Sequence, residues 1–216
     1  MEISREGDSQ GSRNTRERVR DEIIRQILTE KIGPGSRINE TALALELGVS
    51  QTPVREALLR LEGEGVVQSR RGHGFQLPIL DKGQMRDLYA IIAALEAVAI
   101  RSSHPIAPST VDELRIANQD LAGASSIRDM IARDFGWHEI LVGSSSNQQA
   151  VSMAESLRIL ALRHEFAFWD RLDAVHVSVA HHEEITAQLE AGEVESAIAM
   201  LFENWMQGVE SCSVVS

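Results

Sequence analysis

The chain has 216 residues, 43% hydrophobic but only 4% aromatic, an aliphatic composition long enough to bury a real core and favourable to helices. No apolar run is long enough to cross a bilayer: the best, LYAIIAALEAVAI over 88–100, is short and holds Glu96. The net charge of −11 argues against nucleic acid until it is divided, because residues 1–80 carry 12 Lys+Arg against 12 Asp+Glu and residues 81–216 carry 9 against 20.

Residues 1–14 are polar, lack periodicity and lack the apolar stretch of a signal peptide, and are expected to form a flexible tail. With Cys212 as the single cysteine, no disulfide framework forms within the chain, and a reducing cytoplasm is the expected location. A helix begins near Thr15, where Val19, Ile23, Ile24, Ile27 and Leu28 recur at three- and four-residue steps, and GPGS at 33–36 ends it. A second helix, 39–47, opens on Asn39 as N-cap, buries Leu43, Ala44 and Leu47, and turns at Gly48. A third starts at SQTPVREALLRLEGEG, with Ser50 or Thr52 as cap and Pro53 tolerated in the first turn. Val54, Ala57, Leu58 and Leu61 form its buried stripe and leave Gln51, Thr52 and Arg55 on another face. GVVQSRRGHGFQLPI follows as two β-prone runs around a basic, glycine-rich tip. Three helices and a hairpin make a winged helix-turn-helix over 15–79.

Beyond Pro78 only helical patterns occur, placed near 82–103, 109–122, 126–143, 147–172, 175–191 and 193–209. The fold class is therefore mainly α: a winged helix-turn-helix, then an all-helical bundle of about six helices over 80–210, with 211–216 as a tail.

A helix-turn-helix sets the start of its second helix into the major groove, where Arg pairs with guanine, Gln with adenine, and Thr with phosphate or a thymine methyl. Gln51, Thr52 and Arg55 are the exposed side chains there. At the wing tip, Arg70, Arg71 and His73 can reach backbone or minor groove, and Gly72 and Gly74 permit close approach. The same residues would also suit a solvated face of an interaction module. In the bundle, ARDFGWHEIL puts Asp134 and His138 one helical turn apart on one face. Such a pair serves either as a hydrogen-bonded helix pair or as part of a metal or catalytic site. Trp137, Trp169 and Trp205 are expected in the core or a dimer contact, and His164 and His176 facing solvent or locally satisfied.

The ordered elements PGSRINE, LGVSQTPVREALLRLEGEG and RRGHG closely resemble the N-terminal domain of GntR-family bacterial transcription regulators over about residues 15–79. The resemblance implies that Gln51, Thr52, Arg55 and the wing tip meet double-stranded DNA. Many relatives carry Arg at the position of Gln51, so the base read there is expected to differ. Residues 82–210 look like the all-helical FCD effector domain of the FadR branch. That likeness implies a divalent metal, zinc, nickel or similar, held by Asp134, His138 and His182, with Asn204 where the family usually has a fourth ligand His. The positions are compatible: His182 lies ten residues before Gly192 and Asn204 twelve after it, so two antiparallel helices would bring both roughly 15–18 Å from the turn. His181 points about 100° away.

An Asn carbonyl is a weaker ligand than imidazole for such ions. A second departure is Ile92, where relatives often carry an Arg that meets an acidic ligand, so Arg86, Arg101, Arg133 or Arg163 would have to take an effector carboxylate. The expectation is a cytoplasmic, ligand-responsive regulator, a homodimer reading a pseudo-palindromic operator, its effector a small organic acid that reorients the DNA-binding heads. It is not expected to be an enzyme or to engage a membrane. The competing readings are a helical dimerisation module without metal or ligand, and a metal-dependent enzyme, for which no separate general base or nucleophile motif is present.

Overall fold

The computed structural model describes residues 5–29, 31–33, 35–70, 72, 74–79, 81–169 and 174–211, with the side chains of 5–13, 28, 162–168, 210 and 211 left undescribed. The chain divides into two compact units, 1–79 and 80–216. Among the described residues no helix is long and apolar enough to cross a membrane.

In the first unit, α1 (Arg5–Leu28) presents Val19, Ile23 and Ile27 to the core, and Arg20 Nη2 donates to Glu64 Oε2 over 2.9 Å. The flexible tail expected over 1–14 gives way to α1 from Arg5 onward. The segment carries no Pro, and its Arg, Glu and Gln side chains lose little rotamer freedom in a helix, so α1 runs past its apolar stripe. α2 (Glu40–Leu47) is capped by Asn39, whose side chain accepts from the Thr41 and Ala42 N–H groups. It ends at Gly48, whose φ of 64° suits glycine. α3 (Gln51–Gly63) follows with Ser50 at the N-cap and buries Val54, Ala57, Leu58 and Leu61 against α1 and α2. Leu47 is only half-buried.

The wing is β2 (Gln68–Arg70) and β3 (Gly74–Gln76), antiparallel with Ser69 opposite Phe75 and Arg70 opposite Gly74. A third strand, β1 (Arg37–Ile38), pairs on the other side of β3, Ile38 opposite Phe75. Ile38 and Phe75 are both buried, which pins the wing to the helices.

The second unit is six helices among the described residues: α4 (Lys82–Ser103), α5 (Pro108–Ala122), α6 (Ile127–Gly143), α7 (Gln148–Trp169), α8 (Ala174–Glu190) and α9 (Val194–Ser211). α4 opens on a reciprocal Asp81–Gln84 capping box, α5 on Pro108 at its first turn, and α6 on Ser126, which accepts from the Asp129 N–H. Gly192, at φ 80°, reverses the chain between α8 and α9. α4 packs against α6, α7 and α9, and α8 against α5 and α9. Met85, Tyr89, Ile92, Trp137, Leu141, Leu201 and Trp205 belong to one apolar cluster between them. Ser211 closes α9, and 212–216, most of the expected tail, lie outside the described residues.

Candidate functional site

Among the described residues, two sites carry chemistry. The first lies between α3 and the wing. Gln51, Thr52 and Arg55 are exposed at the start of α3, and Arg70 is exposed on β2. Gln51 Nε2 donates to Thr41 Oγ1 over 3.2 Å, and Arg55 Nη1 stands 3.5 Å from Glu40 Oε2. A groove of about 770 Å³ is lined by Arg55, Arg70 and Gly72 together with Arg37, Leu59 and Phe75. Gly72 and Gly74, at φ 80° and 72°, let the wing turn tightly. Glu62 also lines the groove, and hydrogen bonds from Ser69, including its N–H at 2.8 Å, hold that carboxyl below its usual range. Arg71 and His73 lie outside the described residues. Arg37 escapes sequence reading because its approach depends on β1 joining the wing.

The second site is buried in the helical unit. Asp134 and His138 on α6 and His182 on α8 are buried, and one ligand atom from each lies within 4.8 Å of the others. Asp134 Oδ2 is 3.9 Å from His138 Nε2, and Oδ1 is 3.5 Å from His182 Nε2. Zinc bonds of about 2.0–2.2 Å put ligand atoms no more than about 4.4 Å apart, so a small contraction would close this set.

Behind His138, Glu96 is fully buried on α4. Its Oε2 lies 2.9 Å from His138 Nδ1 and accepts from Trp205 Nε1 at 2.8 Å, while Oε1 accepts from Arg158 Nη1 at 2.5 Å. Trp137 stacks on His182 with ring centroids 3.7 Å apart and planes 2° from parallel.

The electrostatics follow from burial. Desolvation pushes the Asp134 carboxyl up to about 6, with the nearby Glu96 charge adding to it and His138 and Arg158 opposing. Burial pulls His138 down, but the charge and hydrogen bond of Glu96, together with Asp134, outweigh it and raise the ring above its ordinary value. Burial, then the neighbouring His138 and His181, hold His182 well below its ordinary value. His182 is therefore a neutral imidazole, and neither ring nitrogen has a hydrogen-bond partner among the described residues. A buried ring with both nitrogens unsatisfied costs free energy that a bound cation and an outer acceptor would recover. The donor set, two imidazoles and a carboxylate, suits zinc, nickel or a similar ion.

Asn204 is buried and lines the same cavity as Tyr89, Asp134, His138, Ser178, Trp205 and Gly208. That cavity, about 20 Å³, has room for a water or an ion but not for an organic acid. Ile92 is buried in the apolar cluster. Arg133 does not line the cavity: its guanidinium bonds Asp129 Oδ1 at 2.7 Å and the Asp120 carbonyl at 2.5 Å. Local pairing with Asp129, one turn away on α6, explains why. Arg101 pairs with Glu195. Arg163 belongs to α7, and its side chain lies outside the described residues.

Sequence reading missed Glu96 and Arg158 as parts of this site. Glu96 left a signal, being the one charge in the apolar run 88–100. Arg158 left a fainter one, sitting at helical spacing between the buried Ala154 and Ala161.

Comparison with known proteins bears on both sites. Residues 15–77 match the bacterial regulatory proteins of the gntR family, and residues 87–204 match the FCD domain. The chain is 35% identical over 159 residues to the Nta operon transcriptional regulator of Aminobacter aminovorans, covering 72% of this chain and 74% of that protein. It is 26% identical over 172 residues to the HTH-type transcriptional repressor RspR of Escherichia coli (strain K12), covering 78% and 75%. Among solved structures it resembles E. coli McbR/YncC, with a TM-score of 0.77 at 21% identity, covering 91% of this chain and 95% of that one.

Proposed function

The chain belongs to the GntR family of bacterial regulatory proteins with an FCD domain and is a sequence-specific DNA-binding transcription regulator, not an enzyme; from that premise we propose that its helical unit is a metal-assisted receptor for a small organic acid. In this reading residues 15–79 read the operator and residues 80–210 hold metal and effector. Asp134, His138 and His182 hold a divalent ion, with Asn204 as a neutral fourth neighbour. The observation that carries the reading is the buried, neutral His182 with two unsatisfied ring nitrogens, 3.5 Å from the Asp134 carboxylate. A bound divalent ion supplies a Lewis-acidic point for an effector oxygen.

This chain's own residues do the rest. Asp134 gives the site its negative charge, Trp137 fixes the plane of His182 by stacking, and Glu96 braces His138. Because the cavity is only about 20 Å³, an organic acid enters only with a rearrangement of the helices around it. Effector binding therefore favours one arrangement over another, which is what a change in operator affinity requires. On the DNA side, Arg55, Gln51 and Thr52 read bases, and Arg70, with Arg71, Gly72 and His73 at the wing, meets the backbone or minor groove. A homodimer on a pseudo-palindromic operator fits this division.

The experiment is zinc titration of the metal-free protein beside His182→Ala. One tight site in the former and its loss in the latter support the reading; no saturable site in either removes the metal. The small cavity is also what a helical dimerisation module without ligand would have, and that outcome would favour it.

A further inference from the structure

The interior of the helical unit holds a charged cluster that direct ligation does not use. Glu96 sits on α4 at 0% exposure and Arg158 on α7 at 2%, with Trp205 on α9 beside them. Their hydrogen bonds converge on one carboxylate. Oε1 is taken by Arg158 Nη1 at 2.5 Å. Oε2 accepts from Trp205 Nε1 at 2.8 Å and lies 2.9 Å from His138 Nδ1. Arginine and indole are obligate donors, and the arginine charge favours an ionised carboxylate, whose oxygens only accept; with Glu96 ionised, the proton of the His138 contact sits on Nδ1. The other ring nitrogen, Nε2, is the one 3.9 Å from Asp134 Oδ2.

We propose that Glu96 is a positioning residue for the metal site: it holds His138 in the Nδ1–H tautomer and at a fixed ring angle, so that the Nε2 lone pair faces Asp134 and His182. Arg158 and Trp205 hold Glu96 in turn, which spreads the support of one ligand over α4, α7 and α9. The inference rests on the metal reading above. Glu96 itself is not one of the ligands, and its contact with Nδ1 leaves Nε2 as the free nitrogen of His138. Outer acceptors of this kind orient a ligating imidazole and raise its basicity. Ligand and brace sit on different helices, so the free nitrogen of His138 keeps its direction only while α4 and α6 hold their packing.

Two double variants isolate the acceptor. Glu96→Gln with Arg158→Met removes the buried charge pair but leaves a side-chain oxygen for His138 Nδ1–H. Glu96→Met with Arg158→Met removes the charge pair and the oxygen together. Two readouts apply: long-range ¹H–¹⁵N NMR of the His138 ring in metal-free full-length protein, at a pH where the ring is neutral, and zinc affinity by titration with zinc alone. The wild type should show Nδ1 protonated and Nε2 bare. The Gln variant should keep that tautomer and an affinity near wild type. The Met variant should lose the tautomer preference and bind zinc about 10–100-fold more weakly.

Equal zinc affinity in the two variants, or a wild-type ring protonated on Nε2, would overturn the proposal. A merely structural role for Glu96 would lower thermal stability in both variants without separating their ring spectra. If the wild type takes up no zinc, the metal reading fails, and the metal-free ring spectra still decide the positioning claim. If the Met variant does not fold, a scrambled tautomer in the Gln variant still refutes it.

Discussion

Asp134→Asn should remove a pH-dependent cost that the metal-free protein carries. The carboxyl moves from an ordinary 3.8 to about 6 in the folded chain because burial disfavours its charge. A folded value above the unfolded one means that the native state binds the extra proton between those limits. The contribution to stability is therefore most favourable in acid and is lost as pH rises through roughly 4 to 6. At neutral pH the full cost is about 3 kcal/mol, and between pH 4.5 and 7.5 it changes by about 2 kcal/mol. His138 adds to the same trend. Its value is raised in part by Asp134, so the stability it brings is present below its unfolded value and fades as pH rises through the folded one. The assay is urea unfolding of metal-free wild type and Asp134→Asn at both pH values. Tryptophan fluorescence reads it selectively, because Trp137, Trp169 and Trp205 all lie in the second unit. The stability of the variant relative to wild type should rise by about 2 kcal/mol from pH 4.5 to 7.5. A difference that stays flat with pH would mean that this carboxylate is not desolvated as described.

Arg55→Ala should relax sequence preference at the base it reads in an operator shift assay, at a cost of about 1–3 kcal/mol, whereas Arg70→Ala should weaken all sequences alike and flatten the salt dependence. Unchanged specific affinity for Arg55→Ala would sink the recognition-helix assignment. Asn204→His, which adds an imidazole to the cavity lining, should tighten zinc binding by about tenfold or more in a competition titration. Gly208→Ala would place its Cβ 2.8 Å from the Tyr89 ring, so denaturant unfolding should show a loss of about 1–3 kcal/mol.

The parts of this fold that were legible in the sequence are those set by local signals. Asn39 and Gly48 bracket α2, the Val54–Ala57–Leu58–Leu61 stripe marks the buried face of α3, and Gly192 turns α8 into α9. β1 was not legible, because two residues become a strand only through pairing with β3 nearly forty residues on. The same holds for Arg37 in the groove. For the buried site, spacing offered Asp134 and His138, and family likeness offered His182 and Asn204. Tertiary packing alone reveals the rest: Glu96 meets His138 across 42 positions and Trp205 across 109. Arg133 has a partner that the sequence reading did not single out. One of the four arginines offered for an effector carboxylate, it pairs with Asp129 one turn away.

The proposed role of the helical unit turns on a divalent ion between Asp134, His138 and His182. Its most direct test is anomalous diffraction from crystals of the protein grown with zinc, recorded on both sides of the zinc absorption edge. One anomalous peak per chain is expected, bonded to His138 Nε2, a His182 ring nitrogen and an Asp134 oxygen at about 2.0–2.2 Å. Crystals with no peak there, and with the three side chains packed against one another, would contradict it.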